Sequence, residues 1–191
     1  MGSSESVRAC ADALLAVLLA PACAACARPL DAPTRGPVCQ ACWSRVLPMA
    51  PPLCDSCAEP LPSWRAISLD LGRCARCRRR RPTIAKARSI GAYAGALRAI
   101  IHAFKYDGRR SLADPLAALM RRRGAEVLGG ADLAVPVPLH RSRLRQRGFN
   151  QAADLARRLG LPCRDLLRRA RATPSQTVLH REGKSRQQHF L

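Results

Sequence analysis

The sequence predicts an α/β protein in two parts, a cysteine-rich N-terminal metal module followed by an open parallel sheet. Three observations predict it. Eight of the ten cysteines fall into four C-x-x-C pairs. Beyond Pro82, short strand-like runs alternate with runs of helical period, the pattern of a parallel α/β sheet. One apolar run, 131–138, passes directly into a basic segment and then a helix start, as chains do at the carboxyl end of a strand in such sheets.

The 191 residues allow one or two small domains. Apolar residues make up 48% and aromatics only 4%, so Leu, Ala, Val and Ile must fill the core. Charge is the outlier. There are 33 basic against 13 acidic residues, a net charge of +20, and only three of the basic residues are lysines. Arginine keeps its charge and pairs with phosphate through two parallel bonds. The charge points to acidic partners: nucleic acid, phosphorylated metabolites or an anionic membrane surface. The plainer reading is an arginine-rich composition with solvated faces. Residues 23–81 carry net +6 and residues 141–191 net +10. No segment reaches the roughly 18 consecutive apolar residues of a membrane span.

Residues 1–22 read as a short apolar helix ending at Pro21, and residues 23–81 as a cysteine module resembling a double zinc ribbon. Its pairs are Cys23/Cys26, Cys39/Cys42, Cys54/Cys57 and Cys74/Cys77. A C-x-x-C turn faces two thiolates toward one metal, and two such turns complete the tetrahedral sulfur site that Zn²⁺ prefers. The expectation is therefore two zinc ions. An iron–sulfur centre would use the same thiolates. A disulfide framework would need an oxidising compartment. The stretch ACADALLAVLLAPACA (9–24) resembles the apolar part of a signal peptide, but Asp12 lies near its start and Arg8 alone supplies the positive end. Sequential pairing gives one site from Cys23, Cys26, Cys39 and Cys42 and another from Cys54, Cys57, Cys74 and Cys77. A cross-braced arrangement would combine the same pairs differently, and the similar halves favour the sequential one. Cys10 and Cys163 read as ordinary small apolar residues. Metal coordination folds such a segment where its own core cannot. The run RCRRRR (76–81) closes the module, either as a solvated basic turn or as a phosphate contact.

Residues 82–191 form the second part. ARSIGAYAG (87–95) reads as a strand. ALRAIIHAFKY (96–106) places Leu97, Ile100, Ile101 and Phe104 at helical spacing. SLADPLAALMRRR (111–123) is a second helix, with Ser111 as its cap and Pro115 in its tolerant first turn. ADLAVPVP (131–138) is a short buried strand, and a further strand or turn is expected around 163–167. NQAADLARRLG (150–160) is a third helix, with Asn150 as N-cap and Gly160 as its stop.

The stretch VPVPLHRSRLRQRGFNQ (135–151) lies between that strand and that helix. A helix N-terminus offers unpaired N–H groups and partial positive charge to an anion. Gly148 lets backbone approach a ligand. Arg141, Arg143, Arg145 and Arg147 alternate along what reads as a loop, so one side presents several guanidinium groups to phosphate. A solvated basic loop is the bland alternative. Lys105 follows an apolar helix face and either reaches solvent or points to the ligand. His102, His140, His180 and His189 show no ligand spacing. Trp43, Trp64, Phe104, Tyr106 and Phe149 are the few rings able to stack on bases.

In order, the four C-x-x-C pairs, FKYDGRRSLADPLA, VPVPLHRSRLRQRGFNQAADLARRLGLP and RRARATPSQTVLHRE resemble the competence protein F family (ComF/ComFC) over about residues 14–186. The resemblance implies a zinc module fused to a type I phosphoribosyltransferase-like domain. It implies a role in natural transformation, handling imported single-stranded DNA in the cytoplasm, with a competence helicase-type protein as partner. By the same resemblance Cys23 to Cys77 are the zinc ligands, and Lys105 and Gly108 form a K-x-x-G element. Arg147, Gly148, Phe149, Asn150 and Gln151 form the R-G-F-N-Q signature, and Thr173 and Gln176 the T-x-x-Q element. By the same resemblance the basic loop within 135–151 corresponds to the mobile loop that covers the ligand. Lys105, Arg143, Arg147, Gly148, Asn150 and Gln151 are thus the candidate phosphate or nucleic-acid contacts.

The family's later strand ends in two aspartates and leads to a Thr-Thr-Gly-rich loop. Together these hold phosphoribosyl pyrophosphate with Mg²⁺. They have no counterpart here, where the chain runs REGKSRQQHFL from Arg181. The expectation is an incomplete, C-terminally truncated sheet over 82–191 and no phosphoribosyl transfer. A phosphoribosyltransferase-type enzyme is the alternative function.

Overall fold

The structure, a computed structural model, describes residues 2–63, 72–80 and 83–172. Thr173, Gln176, Trp64, His180 and His189 lie outside the described residues. Helix α1 (Gly2–Leu19) comes first. It is followed by two short helices of the cysteine module, α2 (Gln40–Ser44) and α3 (Ala75–Arg79). Then come α4 (Gly95–Tyr106), α5 (Ala113–Arg123), α6 (Ala125–Leu128), α7 (Arg141–Arg147) and α8 (Gln151–Ala156).

The Ala- and Leu-rich sequence of α1 has high helix propensity, and Pro21 cannot continue it. One buried polar residue fixes it to the module. The Asp12 carboxylate accepts a 2.8 Å bond from the Thr34 N–H, at the 3-10 turn Pro33–Arg35.

The cysteine module is a structural repeat offset by 31 residues. An antiparallel bridge joins Ala22 to Pro29, and another joins Leu53 to Pro60. Cys23 N–H donates to Arg28 O and Ala27 N–H to Cys23 O, both at 2.8 Å. Cys54 N–H donates to Glu59 O at 2.8 Å and Ala58 N–H to Cys54 O at 2.9 Å in the same way. Ala27 and Ala58 take left-handed backbone angles, with φ of 58° and 59°. The shared pattern is Pro, Cys, Cys-Ala, Pro-Leu, at Pro21/Pro52, Cys23/Cys54, Cys26-Ala27/Cys57-Ala58 and Pro29-Leu30/Pro60-Leu61. Each half is completed by a one-turn helix whose N-cap is a cysteine, Cys39 before α2 and Cys74 before α3.

The helical part packs directly on the first half of the module. Leu97, Ile100, Ala103 and Phe104 form the buried face of α4, as their spacing predicts. Ala113, Leu116 and Leu119 of α5 meet them, and Phe149 closes the end, its ring 5.6 Å from Phe104. Cys23, Leu30, Val38, Cys42 and Val46 belong to this same apolar cluster. The second half has a small cluster of its own around Cys54, Leu61 and Cys77. Arg123 ties the layers together by donating to Ile90 O and, at 2.7 Å, to Val46 O.

The expected α/β fold, an incomplete type I phosphoribosyltransferase-like open parallel sheet, is not found: the described residues are mainly helical and contain no sheet. Residues 131–138 make a single parallel bridge, Ala134 to Cys163, in which Ala134 N–H donates to Pro162 O at 2.8 Å and Arg164 N–H to Ala134 O at 3.1 Å. Pro136 and Pro138 bring no N–H, so pairing cannot extend along this run. Residues 87–95 find loop partners instead of a strand: Ala87 N–H bonds Ser56 O at 2.7 Å, and Ile90 O is taken by Arg123. The expected loop after the 131–138 run is also different, since 141–147 is helix α7. Ser111 does not cap α5, which begins after Leu112, and α8 ends at Ala156 rather than at Gly160.

Candidate metal centres and nucleic-acid interface

The four C-x-x-C turns converge as two Cys₄ groups in sequential order. Cys23, Cys26, Cys39 and Cys42 form one, Cys54, Cys57, Cys74 and Cys77 the other, with all sulfurs of a group within 4.8 Å of one another. The first pair of each group comes from a bridged turn, the second from a helix start. A tetrahedron with metal–sulfur bonds of about 2.3 Å has sulfur–sulfur edges of about 3.8 Å. Cys23 and Cys42 Sγ are 3.9 Å apart, Cys26 and Cys39 also 3.9 Å, and Cys57 and Cys74 3.7 Å. The thiols are all free, with no disulfide among them. These edges suit one ion per group; a polynuclear cluster places iron and sulfide between its thiolates and needs wider spacing.

Backbone N–H groups aim at one sulfur in each group. Cys23 Sγ accepts from Ala25 N–H and Cys39 N–H, both at 3.4 Å, and Cys54 Sγ accepts from Cys74 N–H at 3.3 Å. Burial pushes the Cys23 and Cys54 thiols up, but these N–H donors outweigh it and bring each down to about 6. Burial and the neighbouring cysteines push Cys42 strongly up, and Cys77 up to about 12. Each group therefore holds one thiolate in readiness and one thiol that only a metal cation would deprotonate. Four thiolates on Zn²⁺ leave two negative charges. Arg76 lies beside the second group, where bonding to Cys57 and the charge of Cys57 and Cys74 raise its pKa further.

The basic residues separate by geometry. On helix α7, Arg143 and Arg147 are one turn apart and share a side, while Arg141 and Arg145 point elsewhere and are exposed. The alternation that would align all four along a loop instead splits them. His140 serves as N-cap by accepting from Ser142 N–H at 3.3 Å, and Gly148, at φ 74°, ends the helix in the left-handed region. Gly148 thus shapes the chain, and its Cβ position is open. Asn150 caps α8 by accepting from Ala152 N–H at 3.0 Å, and its amide donates to Val137 O at 3.1 Å.

Lys105, Arg147 and Gln151 come together. Arg147 Nη1 donates to Gln151 Oε1 at 3.2 Å, and Gln151 Nε2 donates to Lys105 O at 3.4 Å. The Arg147 guanidinium lies 4.8 Å over the ring of Tyr106. Burial pushes the Lys105 ammonium below its usual value, and the nearby Arg147 charge pushes the same way. Among the described residues no ion pair includes Lys105 or Arg147. Of the rings able to stack on bases, Phe104 and Phe149 are buried, Trp43 is partly buried and Tyr106 is exposed. Sequence reasoning did not single out Arg110, whose guanidinium lies over the Phe149 ring, or Asp154, which accepts from it; nothing in their local spacing signals a contact across 44 residues.

No helix among the described residues is long and apolar enough to cross a membrane. No curated protein and no solved structure matches the chain. Residues 14–78, which include all eight paired cysteines, match the double zinc ribbon domain, so the N-terminal region is a zinc-binding ribbon module with two Cys₄ sites.

Proposed function

We propose that this chain handles single-stranded nucleic acid, its zinc ribbons acting as scaffold and its arginine-rich surface as phosphate contact. Cys23, Cys26, Cys39 and Cys42 hold one zinc ion and Cys54, Cys57, Cys74 and Cys77 the other. The observation that carries the reading is the Lys105–Arg147 pair. Two cations are held side by side without a carboxylate partner among the described residues, next to the exposed ring of Tyr106. Like charges brought together this way are relieved by an anion. A phosphate satisfies both.

The second ribbon carries exposed arginines of its own, Arg73, Arg76, Arg78, Arg79 and Arg80. This is the chemistry expected of a ComF-like protein of natural transformation, acting on imported single-stranded DNA in the cytoplasm beside a helicase-type partner. Phosphoribosyl transfer is not part of the proposal, since the sheet that would carry it is missing among the described residues.

The test is a titration of zinc-loaded protein with an oligo-dT strand at low and at moderate salt. Binding should be tight at low salt and fall steeply as salt rises, since each phosphate contact to a single strand contributes about 0.7 to the log–log slope. No binding at low salt would rule the proposal out.

A further inference from the structure

Helix α1 has two faces and uses only one. Asp12, Leu15 and Ala16 lie toward the ribbon, where Asp12 is buried against Thr34. Val7, Cys10, Leu14 and Val17 lie on the opposite side at spacings of three, four and three residues. That is the a/d stripe of a two-helix seam. Val7 is 66% exposed, Leu14 60% and Val17 83%, with Cys10 exposed between them. Leu18 flanks the stripe and is also exposed. A monomer has no use for such a stripe on top of the face it already buries.

We propose that a second copy of this chain covers the stripe, α1 against α1, in antiparallel orientation. Charge selects the partner. The chain carries +20, yet α1 carries only Glu5, Arg8 and Asp12, net −1. Two copies therefore meet here with almost no like-charge repulsion. Charge also selects the orientation. In a parallel pair both basic bodies would lie side by side at one end. In an antiparallel pair they lie at opposite ends of a helix of about 27 Å, well beyond the screening length of about 8 Å at physiological salt. The helix dipoles also oppose each other in this arrangement. A membrane surface is a poorer occupant, because helices that lie on membranes carry Lys and Arg along the polar face, and α1 has Arg8 alone. In the antiparallel register Val7 faces the second copy's Val17, and Cys10 faces its Leu14. One helix pair falls at or below the low end of stable interfaces, about 1,200 Å², the size class of weak, reversible pairs.

Sedimentation equilibrium of the zinc-loaded full chain, from about 1 to 100 μM, tests the pairing. The wild type should pass from monomer to dimer across this range. Leu14→Glu, at an exposed position, should weaken the dimer at least tenfold while keeping its zinc content, and Ala9→Ser, at an exposed position outside the stripe, should leave it unchanged. A wild type that stays monomeric at 100 μM, or a Leu14→Glu variant that dimerises equally well, overturns the proposal. So does a monomer that instead floats with neutral lipid vesicles. Mild oxidation tests the orientation: Leu14→Cys should cross-link Cys10 to the introduced thiol of the second copy. Prompt cross-linking of the wild type through Cys10 alone would overturn the antiparallel arrangement, since that bond requires the two Cys10 residues to face each other.

Discussion

Arg110 grips Asp154 by two bonds, Nε to Oδ2 at 2.9 Å and Nη2 to Oδ1 at 3.1 Å, while the same guanidinium lies 5.0 Å over the ring of Phe149. The carboxylate is buried on α8 and sits in that helix's first turn, where negative charge is favoured. The pair locks the segment after α4 onto the helix that follows the RGFNQ stretch, and so fixes the position of Arg147 relative to Lys105. Removing one partner leaves a buried charge short of its main bond, with only Arg157, at 3.6 Å, to compensate. Arg110→Ala is expected to lower the melting temperature by roughly 5 °C. Arg110→Ala with Asp154→Ala should cost less than the sum of the single changes. Additive losses in calorimetry would show that the ion pair carries no coupling.

The two metal sites differ in what surrounds them. Cys23 and Cys42 belong to the cluster that contains Ile100 and Phe104, whereas Cys54 and Cys77 share a small cluster with Leu61. Cys42→Ser should therefore destabilise the whole chain, and chelation of the first ion should expose the amides of α4 to exchange. Cys77→Ser should loosen its own half and leave α4 protected. Hydrogen exchange of both variants, with zinc counted per chain, checks this; equal loss of protection in α4 would refute the distinction.

Proton competition sets the pH response of zinc binding. In each metal-free group, one thiol ionises near 6, Cys23 or Cys54, and one stays protonated far above neutrality, Cys42 or Cys77. At pH 7 zinc must displace the high-pKa proton, so affinity rises with pH. Below about pH 6 Cys23 and Cys54 are protonated as well, and each site must release one proton more. The slope of log affinity against pH is expected to steepen by one per site on crossing that value, measured by competition with a zinc indicator. A constant slope from pH 5 to 7.5 would contradict the arrangement of N–H donors.

Ala27 and Ala58 hold left-handed angles at equivalent points of the repeat. A Cβ there costs about 1–2 kcal/mol, part of which glycine loses again through its freer unfolded chain. Ala27→Gly and Ala58→Gly should each stabilise the zinc-loaded protein by about 0.5 kcal/mol. Destabilisation in thermal melts would show that the alanine methyl groups pack in a way that outweighs the angle.

The parts legible in the sequence are those whose determinants are local. A C-x-x-C turn carries its two ligands within four residues, and α4 announces its face through Leu97, Ile100 and Phe104. Strands are harder to read because a strand needs a partner that its own residues do not name. The run 131–138 is apolar and bounded like a strand, but Pro136 and Pro138 limit its pairing to one bridge. The arginine alternation at 141–147 reads as extended chain by its period of two. A cap at His140, a left-handed Gly148 and the good helix propensity of arginine make it α7. That change separates Arg141 and Arg145 from Arg147. The meeting of Lys105, Tyr106, Arg147 and Gln151 depends on contacts between residues far apart in the chain, Gln151 Nε2 to Lys105 O and Arg147 over Tyr106, which no local pattern records.

The basic pair carries the nucleic-acid assignment. The decisive measurement is the salt dependence of oligo-dT binding for the wild type and for Lys105→Ala with Arg147→Ala, both loaded with zinc and checked for equal zinc content. If these two cations touch phosphate, the double variant should bind at least tenfold more weakly at low salt, with a log–log slope shallower by about 1.4, or 0.7 for each cation removed. Unchanged affinity and slope would contradict the assignment of this cluster to nucleic-acid binding.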